Sequence, residues 1–398
     1  MVSKAVVTIL ASMLALITLF GGACQQHELS TQVAQAETKP TPEPRMAPAI
    51  EIAAVGDIMM GSTSINDSFL PPNDGRNMLK EVTPILTAAD IAFGNLEGPM
   101  LEGGKTEKCA DSSPAKKTND AYAAPIPTPV PGKTPPKKPA PCFAFRVPTR
   151  YGQYLKDAGF DILNLANNHA GDFGEQGRAS TRKVLDGLGI KYAGGDKDRF
   201  STAYLDVKGV SIAVVGFDHN PVSPNVNDLD EARRLVTAAK KKAQIVIVSF
   251  HGGAEGEGAQ HVLRQTEMLG SEKRGNLPLF AHTVIDAGAD LVLGHGPHVL
   301  RGMEFYKGHL IVYSMGNFAT YGMFNLKGVQ GITAIFDIKL TASGDFASAR
   351  IIPVRQEGRG GPVLDNTGAA IRKLRELSTA DFGASAPRIE DDGTVASR

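Results

Sequence analysis

Tryptophan is absent from the 398 residues, and aromatic residues make up only 6% of them. That argues against a carbohydrate-binding platform, where sugar rings stack on broad aromatic faces. An excess of either charge is missing too: 42 Lys and Arg stand against 42 Asp and Glu. With that balance and no basic stripe, no nucleic-acid partner is implied. Cysteine is scarce, with Cys24, Cys109 and Cys142 the whole supply, which leaves room for one internal disulfide. Apolar residues are plentiful at 42%, ample for the core of one large α/β domain or two small ones.

The N-terminus reads as an export signal. Lys4 gives a positive start, Ala5 to Phe20 is almost wholly apolar, and the small residues Gly21-Gly22-Ala23 lead into Cys24. This is similar to a bacterial lipoprotein signal with Cys24 as the lipidated residue. Leu19 lies further upstream than the usual leucine of such signals, so a plain cleaved signal and an uncleaved anchor helix stay open beside lipidation. Residues 25–49 are polar and then proline-dotted, a composition that suits a flexible tether between membrane and domain. The expected location is the cell envelope, membrane-anchored on the extracytoplasmic side. In that compartment Cys109 and Cys142 can pair across the Lys/Pro-rich insertion at about 103–142, tying its ends to the domain surface. Two unpaired thiols are the alternative.

Five apolar runs end in ligand-type side chains with glycine close by. Ile52–Val55 leads to Gly56-Asp57, and Ile91–Phe93 to Asn95-Leu96-Glu97. Ile162–Leu165 leads to Asn167-Asn168-His169, Ile245–Val248 to His251-Gly252-Gly253, and Leu291–Leu293 to His295-Gly296-Pro297-His298. The carboxyl ends of strands are where open α/β sheets place ligand chemistry. Carboxylate and imidazole together suit a divalent transition metal, and glycine lets backbone turn tightly around an ion. Helices are expected at 77–88, 149–158, 175–188, 229–242 and 279–287. A strand pair is expected at 204–207 and 211–215, with further strands at 310–313, 331–340 and 349–354. The alternation predicts a layered α/β fold with a mixed sheet or two stacked sheets. The domain is expected over 50–360, followed by a C-terminal extension at 361–398 that is partly disordered, with the residues after about Leu377 loose.

Beyond these spacings, the chain resembles the CapA family of capsule-synthesis proteins. The resemblance rests on Gly56-Asp57-Ile58-Met59, Asn95-Leu96-Glu97-Gly98-Pro99, Phe143 to Pro148, Leu165 to His169, Ser249 to Gly253, Gly294 to Val299 and Tyr313 to Phe318, in order over roughly residues 50–355. It implies a metallophosphoesterase-type fold, a four-layer α-β-β-α sandwich of two stacked mixed sheets flanked by helices. It also implies a role in poly-γ-glutamate capsule synthesis and a site for one or two divalent ions (Mn, Zn, Fe or Mg). By the same resemblance Asp57 and His298 are first-metal ligands and Glu97 is the bridging carboxylate. Asn168, His251 and His295 are second-metal ligands, and His169 is the catalytic acid or oxyanion donor. Two departures stand out: Met59 occupies a position where the phosphoesterase pattern has histidine, and the bridge is Glu rather than Asp.

Such a site suits hydrolysis by metal-activated water. The leading expectation is therefore an exported hydrolase acting on an anionic polymer or a phosphorylated envelope intermediate, working beside other capsule-synthesis subunits. The alternative is a non-catalytic subunit of a polymer synthesis and export complex that keeps the fold. A third, weaker reading is a nucleotide or sugar-phosphate phosphatase, which needs a stacking aromatic that the sequence does not reveal. His219 is read as structural, His261 and His282 as surface or packing residues, and Asn317 and Ser314 as hydrogen-bonding support. Asp172 is a candidate orienting acceptor for an imidazole. Arg146 is read equally as an anion partner or a surface ion pair.

Overall fold

Buried apolar runs set the alternation of strand and helix. The computed structural model describes residues 49–106, 108 and 143–398; the export signal, Cys24, the tether to residue 48, Cys109 and Cys142 lie outside the described residues. In chain order come β1 (Ile50–Met59), the single turn α1 (Thr83–Leu86), β2 (Ile91–Leu96), α2 (Tyr151–Asp157), β3 (Ile162–Asn164), α3 (Gly174–Leu188) and β4 (Lys191–Ala193). The expected strand pair forms as β5 (Thr202–Val207) and β6 (Val210–Phe217). Then follow α4 (Leu229–Lys240), β7 (Ile245–His251), a small hairpin of β8 (Met268–Leu269) and β9 (Glu272–Lys273), α5 (Leu277–Asp286) and β10 (Leu291–His295). The chain continues through β11 (Met303–Tyr306), β12 (His309–Val312), β13 (Asn317–Thr320), β14 (Ile332–Leu340), β15 (Phe346–Gln356) and β16 (Pro362–Leu364). It closes with α6 (Ala369–Phe382), β17 (Arg388–Ile389) and β18 (Thr394–Ala396).

Two mixed sheets result. The first runs β17-β18-β15-β14-β1-β2-β3-β4, with β13 beside the distal half of β1 and β16 beside β15; the second runs β11-β12-β10-β7-β6-β5. Ile52, Phe93 and Ile162 of the first sheet and Val214, Ile247 and Leu293 of the second share one core. Successive side chains of a strand point to opposite faces, so Val55 and Leu163 instead join Tyr151 and Leu155 of α2 and Leu185 of α3. On the second sheet Val215 and Val248 join Val236 of α4 and Phe280 and Val284 of α5. The architecture is the expected four-layer α-β-β-α sandwich. Each large side chain buried there contributes roughly 1.5–3 kcal/mol. Since β1, β2 and β3 are parallel, and β6, β7 and β10 likewise, their carboxyl ends gather at common sheet edges.

Two expectations need correction. The helix expected at 77–88 shrinks to Thr83–Leu86, preceded by turns such as Lys80 N–H to Asn77 O and Val82 N–H to Leu79 O. Pro84 has no N–H to donate to the carbonyl four residues back, which suits it to the first turn and sets the helix start beside it rather than at 77. The C-terminal segment, expected partly disordered, is folded: α6 buries Ile371, Leu374 and Leu377, and β18 pairs with β15 through Ala349↔Val395 and Arg350↔Thr394. Ile371, Leu374, Ile389 and Val395 extend the core shared by the two sheets.

Candidate metal centre

Backbone register does the first part of the assembly. Asp57 on β1 lies opposite Asn95 on β2, Asn95 opposite Asn164 on β3, and His251 opposite His295 across β7 and β10. Glu97 follows β2 immediately, and the Asn167–His169 turn follows β3. Glycine is required where backbones touch: a Cβ on Gly56 would collide with the Gly316 carbonyl, to which Asp57 N–H donates at 2.9 Å. Gly296, at φ 113°, brings the His295–His298 turn against Gly252, where a Cβ would stand 2.7 Å from the Gly252 carbonyl. His298 itself adopts a left-handed φ of 57°, a strained conformation for a non-glycine residue that clusters at functional sites.

Asp57, Glu97 and His298 each offer a ligand atom within 4.8 Å of the other two, and all three are buried. His298 Nδ1 lies 3.0 Å from Asp57 Oδ2, and its Nε2 lies 3.5 Å from Glu97 Oε1. Around them His295 Nδ1 approaches Asp57 Oδ1 at 3.3 Å, His251 Nε2 approaches Glu97 Oε1 at 4.0 Å, and His169 Nε2 approaches the same oxygen at 3.9 Å. The residues singled out in the sequence therefore converge: Asp57, Glu97, His169, His251, His295 and His298 all pack at one sheet edge. Asn168 is in the adjoining turn, its Oδ1 buried.

Six buried polar atoms of this group make no hydrogen bond: both carboxylate oxygens of Glu97, Asn168 Oδ1, His251 Nε2, and both ring nitrogens of His295. Leaving a buried polar group unmatched costs about 1–3 kcal/mol. Oxygen and imidazole-nitrogen donors in this mixture fit Mn, Fe or Zn well and Mg through the oxygens. The electrostatics agree. Burial alone would raise the Asp57 carboxyl, yet His295 and His298 hold it well below the usual carboxylate range. Burial pushes Glu97 up. Burial opposes protonation of His298, but the neighbouring Glu97 and Asp57 override it and raise its proton affinity. The carboxylates beside His298 thus draw positive charge into the cluster, as they would draw a cation. His251 is held neutral, first by burial and then by the Arg274 guanidinium.

A surrounding layer fixes these groups. Asp172, a candidate in the sequence, accepts from His169 Nδ1–H at 2.7 Å and from the Phe145 N–H at 2.7 Å, and pairs with Lys108 Nζ at 3.1 Å. Asn317 Oδ1 is 3.1 Å from His298 Nδ1, while its Nδ2 donates to the His298 carbonyl; Ser314 Oγ donates to the Val299 carbonyl. Both are the hydrogen-bonding support expected. Arg146 donates to the carbonyls of Gly103, Gly104 and Thr63 and to Thr63 Oγ1, and makes no ion pair among the described residues. His219 is buried beside His251, with ring centroids 6.1 Å apart, and its Nε2 is 3.3 Å from Arg274 Nη1. It also lines an open cleft with Asn225, Arg233 and Lys273.

Sequence reasoning gave no role to five contributors. Asn95 and Asn164 carried a signal, since asparagine is disfavoured in a strand and each stands at the end of an apolar run. Arg274 is fully buried near His251 and pairs with Glu255 at 2.8 Å; nothing in its local sequence marks it. Two aromatic rings pack on the site histidines: Phe145 stacks on His169 at 3.9 Å, and Phe324 lies edge-on to His298 at 5.0 Å and beside Phe145 at 5.3 Å. Phe324 comes from a loop far along the chain, where spacing gives no clue.

The chain is an α-β-β-α sandwich with a buried carboxylate–imidazole cluster at its sheet edge, in which Asp57, Glu97 and His298 could hold a metal ion. Residues 51–128 and 113–321 match the family model described as bacterial capsule synthesis protein PGA_cap, and the chain belongs to that family. It is 31% identical over 279 residues to the PGA biosynthesis protein CapA of Bacillus subtilis (strain 168), covering 66% of this chain and 61% of that protein. It is 27% identical over 288 residues to the capsule biosynthesis protein CapA of Bacillus anthracis, covering 68% and 59%. The chain thus spans about three fifths of the length of these curated relatives. Among solved structures, the 5'-nucleotidase precursor of Thermus thermophilus aligns over 85% of this chain and 60% of its own at 10% identity and a TM-score of 0.37.

Proposed function

We propose that this protein is an exported, envelope-anchored metal-dependent hydrolase of capsule or polyglutamate synthesis, acting on an anionic polymer or a phosphorylated envelope intermediate. The observation that carries the reading is the set of unmatched buried atoms on Glu97, Asn168, His251 and His295 around Asp57 and His298. Asp57, Glu97 and His298 would hold one divalent cation, and Glu97, Asn168, His251 and His295 a second. Bound there, such ions activate water and neutralise charge developing on the substrate. The protein's own part centres on His169. Asp172 takes the Nδ1–H, which fixes the tautomer and leaves the Nε2 lone pair facing the cluster. Nε2 is then placed to receive a proton from the attacking water and return it to the leaving group. Phe145 covers one face of that ring and keeps bulk water from it. The family relatives named above act in capsule synthesis by name, which supports other synthesis subunits as partners.

Metal analysis of the purified full-length chain, wild type beside His251→Ala, tests this. The wild type is expected to retain one or two ions and the variant measurably fewer; equal metal content in the two sinks the assignment. Turnover of an aryl phosphate ester decides the competing reading. A wild-type chain that holds metal yet hydrolyses nothing with Mn, Zn, Fe or Mg is the non-catalytic subunit.

A further inference from the structure

Asparagine side chains are poor choices for a strand interior, and a buried amide costs free energy unless its donors and acceptor are matched. Asn95 and Asn164 are nonetheless fully buried at the ends of β2 and β3, and Asn167 is almost as deep in the turn that follows. Their bonds form one chain. Asn95 Oδ1 accepts from Asn164 Nδ2 at 2.9 Å and from Asn167 Nδ2 at 3.1 Å. Its Nδ2 donates to Asp57 Oδ1 at 2.8 Å and faces His251 Nδ1, on the other sheet, at 3.5 Å. Asn167 Nδ2 also donates to the Leu96 carbonyl at 2.9 Å, and its Oδ1 accepts the His169 N–H at 3.1 Å. Asn164 Nδ2 also donates to the Ala166 carbonyl at 2.9 Å.

The orientation of Asn95 is forced by this arrangement. Turning the amide over would set its NH₂ against two other NH₂ groups and its oxygen against a carboxylate, losing three matched bonds at once. One amide therefore holds an oxygen of Asp57 and ties it to the turn bearing Asn168 and His169. His298 holds the other oxygen of Asp57 at 3.0 Å, so loss of the Asn95 amide would remove the hydrogen bond that fixes Oδ1.

We propose that Asn95 is the positioning residue of the metal centre. It fixes the Asp57 carboxylate through its Nδ2 and locks the Asn167–His169 turn through its Oδ1, so that ligands from three chain segments keep their spacing as a cation enters or leaves. This rests on the metal-binding reading above and adds to it a residue that touches no ion. The role is that of an outer hydrogen-bonding partner, whose loss typically weakens metal affinity about 10–100-fold.

Isothermal titration of the full-length, metal-stripped chain with Mn²⁺, together with the visible spectrum of its Co²⁺ form, tests the proposal. Asn95→Ala is expected to bind Mn²⁺ about 10–100-fold more weakly than wild type, with an altered Co²⁺ spectrum and a wild-type far-ultraviolet circular dichroism. Asn167→Ala is expected to weaken binding less. The double variant should lose less than the sum of the two single losses, because both substitutions remove the Asn95–Asn167 bond. An Asn95→Ala chain with wild-type Mn²⁺ affinity and Co²⁺ spectrum overturns the proposal. If Asn95→Ala does not fold, Asn167→Ala decides, since it spares the bond to Asp57 and cuts the link from Asn95 to the turn together with the Asn167 bonds to Leu96 and His169; unchanged affinity and spectrum there overturn it equally. A wild-type chain that takes up neither ion overturns the metal reading itself, and the positioning role with it.

Discussion

Arg301 and Glu267 are buried as deeply as Glu97 and His251, but the two clusters are built to different rules. Arg301 Nη1 and Nη2 reach Glu267 Oε1 and Oε2, both at 2.8 Å, and the rest of the guanidinium donates to the carbonyls of Ala259 and Ala254. Glu267 Oε2 also accepts the Ala254 N–H at 2.9 Å. Glu304 is similar: His282, Tyr313 and Ser385 supply its partners at 3.0, 2.7 and 3.2 Å. These groups are complete without any visitor, and they pin the excursion between β7 and α5, and the C-terminal segment, to the body. Around Glu97 the same kinds of side chain are left unmatched. A buried polar cluster with every partner present is architecture, whereas one with six unmatched atoms calls for a further partner.

Removing one partner should therefore have opposite consequences in the two places. Arg301→Ala leaves Glu267 as an uncompensated buried charge, with an expected loss of about 3–5 kcal/mol. It would appear as a lower urea midpoint at unchanged slope, the same with chelator or with Mn²⁺ present. Glu97→Gln should cost nothing in chelator, because burial already favours the neutral form of that carboxyl. Its effect shows only with metal: Mn²⁺ at one hundred times the dissociation constant should stabilise the wild type by about 2.7 kcal/mol and the variant hardly at all. Loss of stability by Glu97→Gln in chelator comparable to that of Arg301→Ala would erase the distinction between the clusters.

The unmatched cluster was the more legible of the two in the sequence. Asp57, Glu97, Asn168, His169, His251, His295 and His298 each follow an apolar run of strand length with glycine nearby, and parallel strands bring their carboxyl ends together. The complete clusters left no such mark. Arg301 and Glu267 are 34 residues apart in a turn and a loop, and only tertiary packing makes them partners. The C-terminal segment was misjudged for a related reason. Its apolar residues Ile389 and Val395 are sparse among small polar ones, and the hydrogen bonds that order it come from β15, which its own sequence cannot show. Asn95 falls between these cases: it stood inside a motif that was noticed, but its task became visible only with Asn164 and Asn167 around it.

Asp218 offers the finest probe of the comparison, because it is half of each kind. Its Oδ1 accepts the Asn220 N–H, while its Oδ2 is buried with no hydrogen bond. Burial pushes this carboxyl from 3.8 up to about 7, the bond from Asn220 opposing. A folded-state value above the unfolded one means that the native protein keeps a proton which the unfolded chain releases. The associated stability is complete below about pH 4 and is lost as pH rises toward about 7. Three pH units set a ceiling of about 4 kcal/mol, and relaxation around the loop should leave roughly 1–2 kcal/mol. Asp218→Asn keeps the acceptor for Asn220 and removes the titration, so its urea midpoint should fall less than that of the wild type between pH 4 and pH 8, and should exceed it at pH 8. Parallel pH profiles for the two proteins would mean that Oδ2 finds water in solution, and would place Asp218 with the complete clusters.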